Sequence, residues 1–127
     1  MSDPAHALPL AQRALLLAEQ RNYAQALEFA RQAVAVNPED PFSLFVLALC
    51  QLHVPGEKKR ALESIDRALA TEPEDVHLLS LKSAILTELD KSAQALEVAQ
   101  RATSLDASYA PAQVEKARAL MAVHQIG

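Results

Sequence analysis

The sequence repeats itself at an interval of about 34 residues, and this period constrains the fold more than any other feature. The triplet Ala-Leu-Glu begins at Ala26, Ala61 and Ala95, so successive copies lie 35 and 34 residues apart. A second alanine follows each of these after seven residues, at positions 33, 68 and 102. The chain is therefore expected to use one structural unit three times.

Each copy predicts two helices followed by a stop. Half of the residues are apolar, mostly Ala and Leu, and only 2 Gly occur, a composition that favours helix over sheet. The Ala-Leu-Glu helix ends before Pro38 in the first copy and before Pro73 in the second, because proline lacks an amide donor and forces the preceding residue out of the α region. Upstream apolar helices are predicted over residues 8–19, 42–53 and 76–89, and a seventh helix over residues 111–125.

The spacing of small residues resembles the tetratricopeptide repeat, a family built from antiparallel helix pairs with the same period. That family has small residues where its paired helices cross. The matching positions here are all small: Ala14, Ala26, Ala33, Ala48, Ala61, Ala68, Ser83, Ala95 and Ala102. Pro38 and Pro73 match the proline that closes the family's repeat, and Tyr23 matches its mid-repeat aromatic residue, whereas Ala107 departs from the pattern in the third copy.

The resemblance extends over about residues 8–127 and implies the fold. The expected fold is all-α: a right-handed superhelical solenoid of three antiparallel helix pairs plus a seventh C-terminal helix. The repeats are expected at about residues 7–40, 41–75 and 76–109, with the unpaired helix over about 110–126, and residues 1–127 form a single domain.

The resemblance also implies a concave groove lined by the first helix of each pair, in which family members usually bind a peptide or a helix of a partner. The residues expected to bind the peptide are Gln12, Leu15, Phe42, Phe45, Val46, Leu49, His77 and Leu81. The same register adds further groove positions, namely Leu8, Ala11, Glu19, His53, Ser80, Ala84, Glu88, Val114, Glu115 and Arg118.

The centre of this groove is expected to be apolar. Phe42, Phe45 and Leu49 have the spacing i, i+3 and i+7 and therefore share one helix face. One interpretation is that this stripe anchors an amphipathic helix or an apolar peptide. The alternative is that both phenylalanines pack inside the stack, against the helix over residues 23–36.

The sequence does not contain a motif for catalysis or for cofactor binding. The four His residues include no pair at i, i+4, Cys50 has no companion thiol, and two Gly cannot form a phosphate loop. A net charge of −4 does not favour binding to the phosphate backbone of nucleic acid. No apolar stretch approaches the roughly 20 residues that span a bilayer. We therefore expect a cytoplasmic protein that is not an enzyme, needs no metal or cofactor, and neither binds nucleic acid nor inserts into membranes.

A protein–protein interaction scaffold is the leading functional hypothesis. The alternatives are a non-catalytic repeat region of a larger enzyme, similar to a glycosyltransferase or a sulfotransferase, and a small export chaperone that shields apolar segments. Binding of acidic chaperone tails is not expected, because the slots that hold basic and amide residues in such family members lack Lys, Arg and Asn here. Those slots are Ala11, Leu15, Val46, His77 and Leu81.

The last helix is expected to leave apolar surface uncovered. Ala117 occupies the small slot used by Ala14 and Ala48, yet no second helix follows it. The apolar residues concerned are Val114, Leu120, Val123 and Ile126. We expect either an N-terminal fragment of a longer repeat protein or self-association through the C-terminal helix.

Overall fold

The computed structural model of the protein describes residues 9–126, with side chains as far as His124. This part of the chain forms seven helices and contains no strand. They are α1 (Leu10–Glu19), α2 (Tyr23–Val36), α3 (Pro41–His53), α4 (Lys58–Thr71), α5 (Val76–Glu88), α6 (Ser92–Leu105) and α7 (Ala110–Ile126). The predicted all-α fold is confirmed, and the predicted bounds of α3, α5 and α7 are correct to within one residue at each end. Leu8, the predicted start of the first helix, lies outside the described residues.

The helices pack in the order in which they follow one another. The pairs α1–α2, α3–α4 and α5–α6 have extensive contacts, and each pair also packs on the next through α2–α3 and α4–α5. Helix α7 packs on both α6 and α5, as the first helix of a further pair would. Contacts restricted to neighbouring repeats make a solenoid, in which α1, α3, α5 and α7 lie on one side.

Aspartates fix where two of the first helices begin. The carboxylate of Asp40 accepts hydrogen bonds from the backbone N–H of Ser43 at 3.1 Å and from its hydroxyl at 2.6 Å. The carboxylate of Asp75 accepts from the backbone N–H groups of His77 at 2.8 Å and Leu78 at 3.2 Å. These bonds satisfy amide donors that the first turn of a helix leaves free, so α3 and α5 start in equivalent ways.

The turns inside the pairs use the left-handed backbone region. Arg21 and Asp90 both have φ of 62°, and each lies between the two helices of its pair. The residue after each of them closes the turn, with Asn22 donating to the carbonyl of Leu17 at 2.9 Å. In the second pair Gly56 takes this role with φ of 84°, in the turn that holds the extra residue of the 35-residue interval.

All nine small residues of the repeat pattern are buried, and eight of them have no exposed surface. Because their side chains are short, paired helices can approach closely where they cross. Larger residues complete the core, and the fully buried ones include Leu44, Ile65, Ile85 and Leu86. Alanine therefore lets the helices approach where they cross, and leucine and isoleucine fill the core around these crossings.

Candidate functional site

Three adjoining cavities run along α3, α5 and α7. The first, of about 520 Å³, lies over the beginnings of α3 and α5. The second, of about 170 Å³, shares Phe45 and His77 with the first. The third, of about 320 Å³, shares Leu81, Ala84 and Glu115 with the second. Because neighbouring cavities share walls, they form one continuous depression, which we call the groove.

Five of the eight predicted binding residues line the groove. Phe42, Phe45 and His77 line its first cavity, and Leu49 and Leu81 line its third. Phe42 keeps 41% of its surface exposed, which is unusual for so large an apolar side chain. The side chains predicted to share one face thus meet at one surface depression.

The other three predicted residues lie outside the three cavities of the groove. Gln12 lines a fourth cavity of about 360 Å³, which borders the first cavity and shares Asp40 and Phe42 with it. Leu15 and Val46 line none of the cavities described here, and Val46 has no exposed surface because it packs in a core cluster with Ala14 and Cys50. Val46 therefore has no surface that a bound partner could contact.

The alternative prediction, that both phenylalanines pack inside the stack, is correct in part. Phe45 is half-buried and packs against two core clusters, yet it also lines the first two cavities of the groove. Phe42 contributes to the wall of the Gln12 cavity together with Ala33 of α2. Phe45 thus supports the stack with one side and faces the groove with another, whereas Phe42 lies at the surface between two cavities.

Ion pairs line the far end of the groove, at the third cavity. Both carboxylate oxygens of Glu115 lie 3.2 Å from one guanidinium nitrogen of Arg118. The same guanidinium reaches Glu88 at 3.4 Å, and the Lys58 ammonium donates to the other oxygen of Glu88 at 3.1 Å. Burial raises the pKa of Glu115, and Arg118 opposes that rise. Two carboxylates are thus matched by two cations here.

The near end of the groove is acidic. Its first cavity is lined by the carboxylates of Asp40, Glu72 and Asp75, and no Lys or Arg of the described residues lines it. The wall also contains His77, whose Nδ1 atom lies 3.2 Å from the Asp75 carboxylate. The helix caps of α3 and α5 therefore also give this cavity a negative charge.

Two features of the groove floor would not have been identified from the repeat register alone. Tyr109 precedes α7, and its ring meets the His77 ring edge-on with centroids 4.8 Å apart. Ser80 is 5% exposed, and within residues 9–126 its hydroxyl has no hydrogen-bond partner. The register places Ser80 on this wall but does not show that its hydroxyl is unsatisfied.

Neither a metal-binding cluster nor a reactive thiol is present among the described residues. Across positions 9–126 no cluster of three His, Cys, Asp or Glu side chains is arranged to hold a metal ion. The Cys50 thiol is fully buried, and burial raises its pKa to about 11, so it is a thiol rather than a thiolate at neutral pH. Among the helices described, none is both long and apolar enough to cross a membrane.

A family model described as the tetratricopeptide repeat matches residues 17–85, more than half of the chain. The chain belongs to the tetratricopeptide repeat family. Among the curated proteins, none matches the sequence. Helix α3 and most of α5, which line the groove, thus lie within the matched residues, and α7 lies beyond them.

Solved structures agree with this assignment. A thermophilic tetratricopeptide repeat protein of Thermus thermophilus is 24% identical, with a TM-score of 0.84 over 91% of this chain and 64% of that one. The first tetratricopeptide repeat domain of human RPAP3 is 19% identical, with a TM-score of 0.83 over 97% and 96% of the two chains. The Yersinia enterocolitica type III secretion chaperone SycD, solved with a peptide of the translocator YopD, is 16% identical, with a TM-score of 0.74 over 99% and 94%. At these identities the likeness shows the fold, and the present chain spans under two thirds of the Thermus protein.

Proposed function

We propose that the protein is a non-enzymatic interaction scaffold whose groove binds a peptide or an amphipathic helix of a partner protein. The observation that carries the proposal is the exposed ring of Phe42 at a depression that continues along three first helices. Apolar side chains of a ligand would contact Phe42, Phe45 and Leu49 along this depression. Depressions of this kind on repeat proteins are typical binding surfaces.

Simple energetics are compatible with micromolar binding. Burying one large apolar side chain is worth about 1.5–3 kcal/mol. Three such contacts, at the Phe42 ring, at the Phe45 and Leu81 wall and at Leu49, would contribute about 4.5–9 kcal/mol before the cost of association is subtracted. The remainder supports a reversible contact rather than a permanent one.

A binding titration with a synthetic amphipathic helix that carries a stripe of leucines tests this proposal. Phe42→Ser is the informative variant, since Phe42 is exposed and its loss leaves the core intact. Leu105→Ser is the matched control, because Leu105 is 42% exposed but lies on α6 away from the groove. We expect Phe42→Ser alone to weaken binding, and equal affinities for both variants would contradict the proposal.

A small chaperone for exported proteins is a second candidate function. The observation in its favour is the likeness to the Yersinia secretion chaperone, which extends over 99% of this chain and 94% of that one. Such a chaperone would keep an aggregation-prone apolar segment in solution by covering it. The test is the light scattering of a translocator-like apolar peptide with and without the protein. Suppression by the wild type but not by Phe42→Ser supports this function, and no suppression contradicts it.

A further inference from the structure

We infer that the segment bound in the groove is basic at one end, where a Lys or Arg side chain occupies the first cavity and apolar side chains fill the other two. This inference rests on the proposed function and specifies the chemistry of the ligand. It follows from the uneven distribution of charge along the groove, which distinguishes one end from the other.

The two ends of the groove differ in how their carboxylates are compensated. At the third cavity, Arg118 and Lys58 already pair with Glu88 and Glu115. At the first cavity, the carboxylates of Asp40, Glu72 and Asp75 meet no Lys or Arg from the described part of the chain in the cavity wall. A cation from outside is therefore favoured at the first cavity only.

The first cavity also suits the stem of a long cationic side chain. Its walls include the rings of Phe42 and Phe45 beside the carboxylates. The methylene groups of Lys or Arg can lie along an aromatic face while the charged end reaches the carboxylates, and a cation above an aromatic ring gains further attraction. His77 contacts Asp75 through its ring, and Ser43 bonds the Oδ2 atom of Asp40, so the Oδ1 atom of Asp40 and the Glu72 carboxylate are left for the ligand.

The second cavity suits apolar side chains of the ligand. Its walls include Phe45, Leu81 and Ala84, and also Ser80, whose hydroxyl oxygen is closed off from solvent and therefore out of reach of a ligand. Apolar side chains of the bound segment would contact the phenylalanine, the leucine and the alanine here.

The length of α5 sets the scale of the bound segment. Asp75 precedes the first residue of α5 and Glu88 is its last, so the two ends of the groove are about 20 Å apart. A helical ligand would cover this distance with about 13 residues. Its basic residue therefore belongs within the turn of the ligand that lies over the beginnings of α3 and α5.

Two synthetic helical peptides of about 15 residues test the inference. Both carry the same leucine stripe, and at one end the first has lysines where the second has glutamates. Their dissociation constants are measured for the wild type, for Asp40→Asn/Glu72→Gln, and for Glu63→Gln/Glu97→Gln, a control with the same charge change at exposed positions of α4 and α6. Asparagine keeps the cap of α3 while removing its charge.

We expect the lysine peptide to bind the wild type about tenfold more tightly than the glutamate peptide. Asp40→Asn/Glu72→Gln should remove this preference, and the control pair should keep it. If both peptides bind the wild type equally and Phe42→Ser weakens the binding of both, the inference is wrong and the proposed function stands. If neither peptide binds, or if Phe42→Ser changes nothing, the proposed function itself is wrong.

Discussion

The hydroxyl of Ser83 donates a hydrogen bond to the backbone carbonyl of Ala95 at 2.9 Å, across the crossing of α5 and α6. Ser83 occupies the small position that Ala14 and Ala48 hold in the other pairs, and all three are fully buried. A serine fits there because it is small and because its polar atom finds a partner on the facing helix. The third pair is thus held together at the same point by contact and by a hydrogen bond.

Replacing Ser83 by alanine should remove that bond without changing the packing. We expect Ser83→Ala to lower the free energy of unfolding by about 0.5–1.5 kcal/mol, the usual net worth of one hydrogen bond. Urea denaturation measures this loss, and the slope of the unfolding free energy against urea concentration should stay unchanged. Ser83→Leu is the companion variant and should cost more, since it adds volume at the crossing. A leucine variant as stable as the alanine variant would show that the helices do not meet there.

Overpacking the second pair should also be destabilising. Ala61→Leu inserts three heavy atoms at a fully buried position of α4, and we expect it to cost about 1–3 kcal/mol. Ala70→Leu is the control, because Ala70 is exposed on the same helix, and its effect should stay within about 0.5 kcal/mol. Thermal melts monitored by circular dichroism compare the two variants. Equal midpoints would contradict the assigned crossing.

Cys50 should report unfolding through its reactivity. Its thiol is fully buried and its pKa is raised to about 11, so a thiol reagent should modify it only when the chain opens. We expect slow modification of the native protein at pH 8 and fast modification in urea. Fast modification without urea would show that the α3 core is open.

The same thiol predicts how stability changes at alkaline pH. Between its ordinary pKa of 9.0 and about 11, the unfolded chain loses the Cys50 proton while the folded chain keeps it. The folded state then binds more protons, so the free energy of unfolding falls as pH rises through this range. Urea melts at pH 8 and pH 10 measure the fall, and Cys50→Ala should show a smaller one. An identical fall in Cys50→Ala would assign the effect to other groups.

Self-association through α7 remains a prediction of the sequence. Ala117 is exposed in the structure, because none of the described helices covers its face of α7, and Val114, Leu120 and Met121 are exposed too. The side chain of Ile126 lies outside the described ones. If copies associate there, light scattering should show a mass that rises with concentration, and Leu120→Glu should abolish the rise. A constant monomer mass in the wild type would contradict the hypothesis.

Local patterns were sufficient to predict the helices and their pairing. Proline stops and periodic alanines act within a single repeat, so the positions of Pro38 and Ala61 already indicate where helices end and cross. The helical spacing of Phe42, Phe45 and Leu49 also placed all three on one face of α3, where each lines the groove. These predictions succeeded because they depend on contacts between segments close in the sequence.

The remaining features depend on how successive pairs stack. Val46 was assigned to the groove with Phe42 and Phe45 by register, but the packing of neighbouring helices buries it completely. Asp40 and Glu72 lie in turns of different repeats, and only the stacking brings them to one cavity. Arg67 likewise donates to the carbonyl of Pro38 in the preceding turn at 2.9 Å. Spacing within one repeat carries no information about such contacts.

Chemical-shift mapping with the leucine-stripe lysine peptide tests most directly that the groove is the binding surface. Titrating the isotope-labelled protein should shift the backbone amides of Phe45, Ser80 and Leu81, which line the groove. The amides of Glu63 and Glu97, on the opposite helices, should stay in place. Shifts concentrated on α4 and α6, or no shifts at a saturating peptide concentration, would contradict the account.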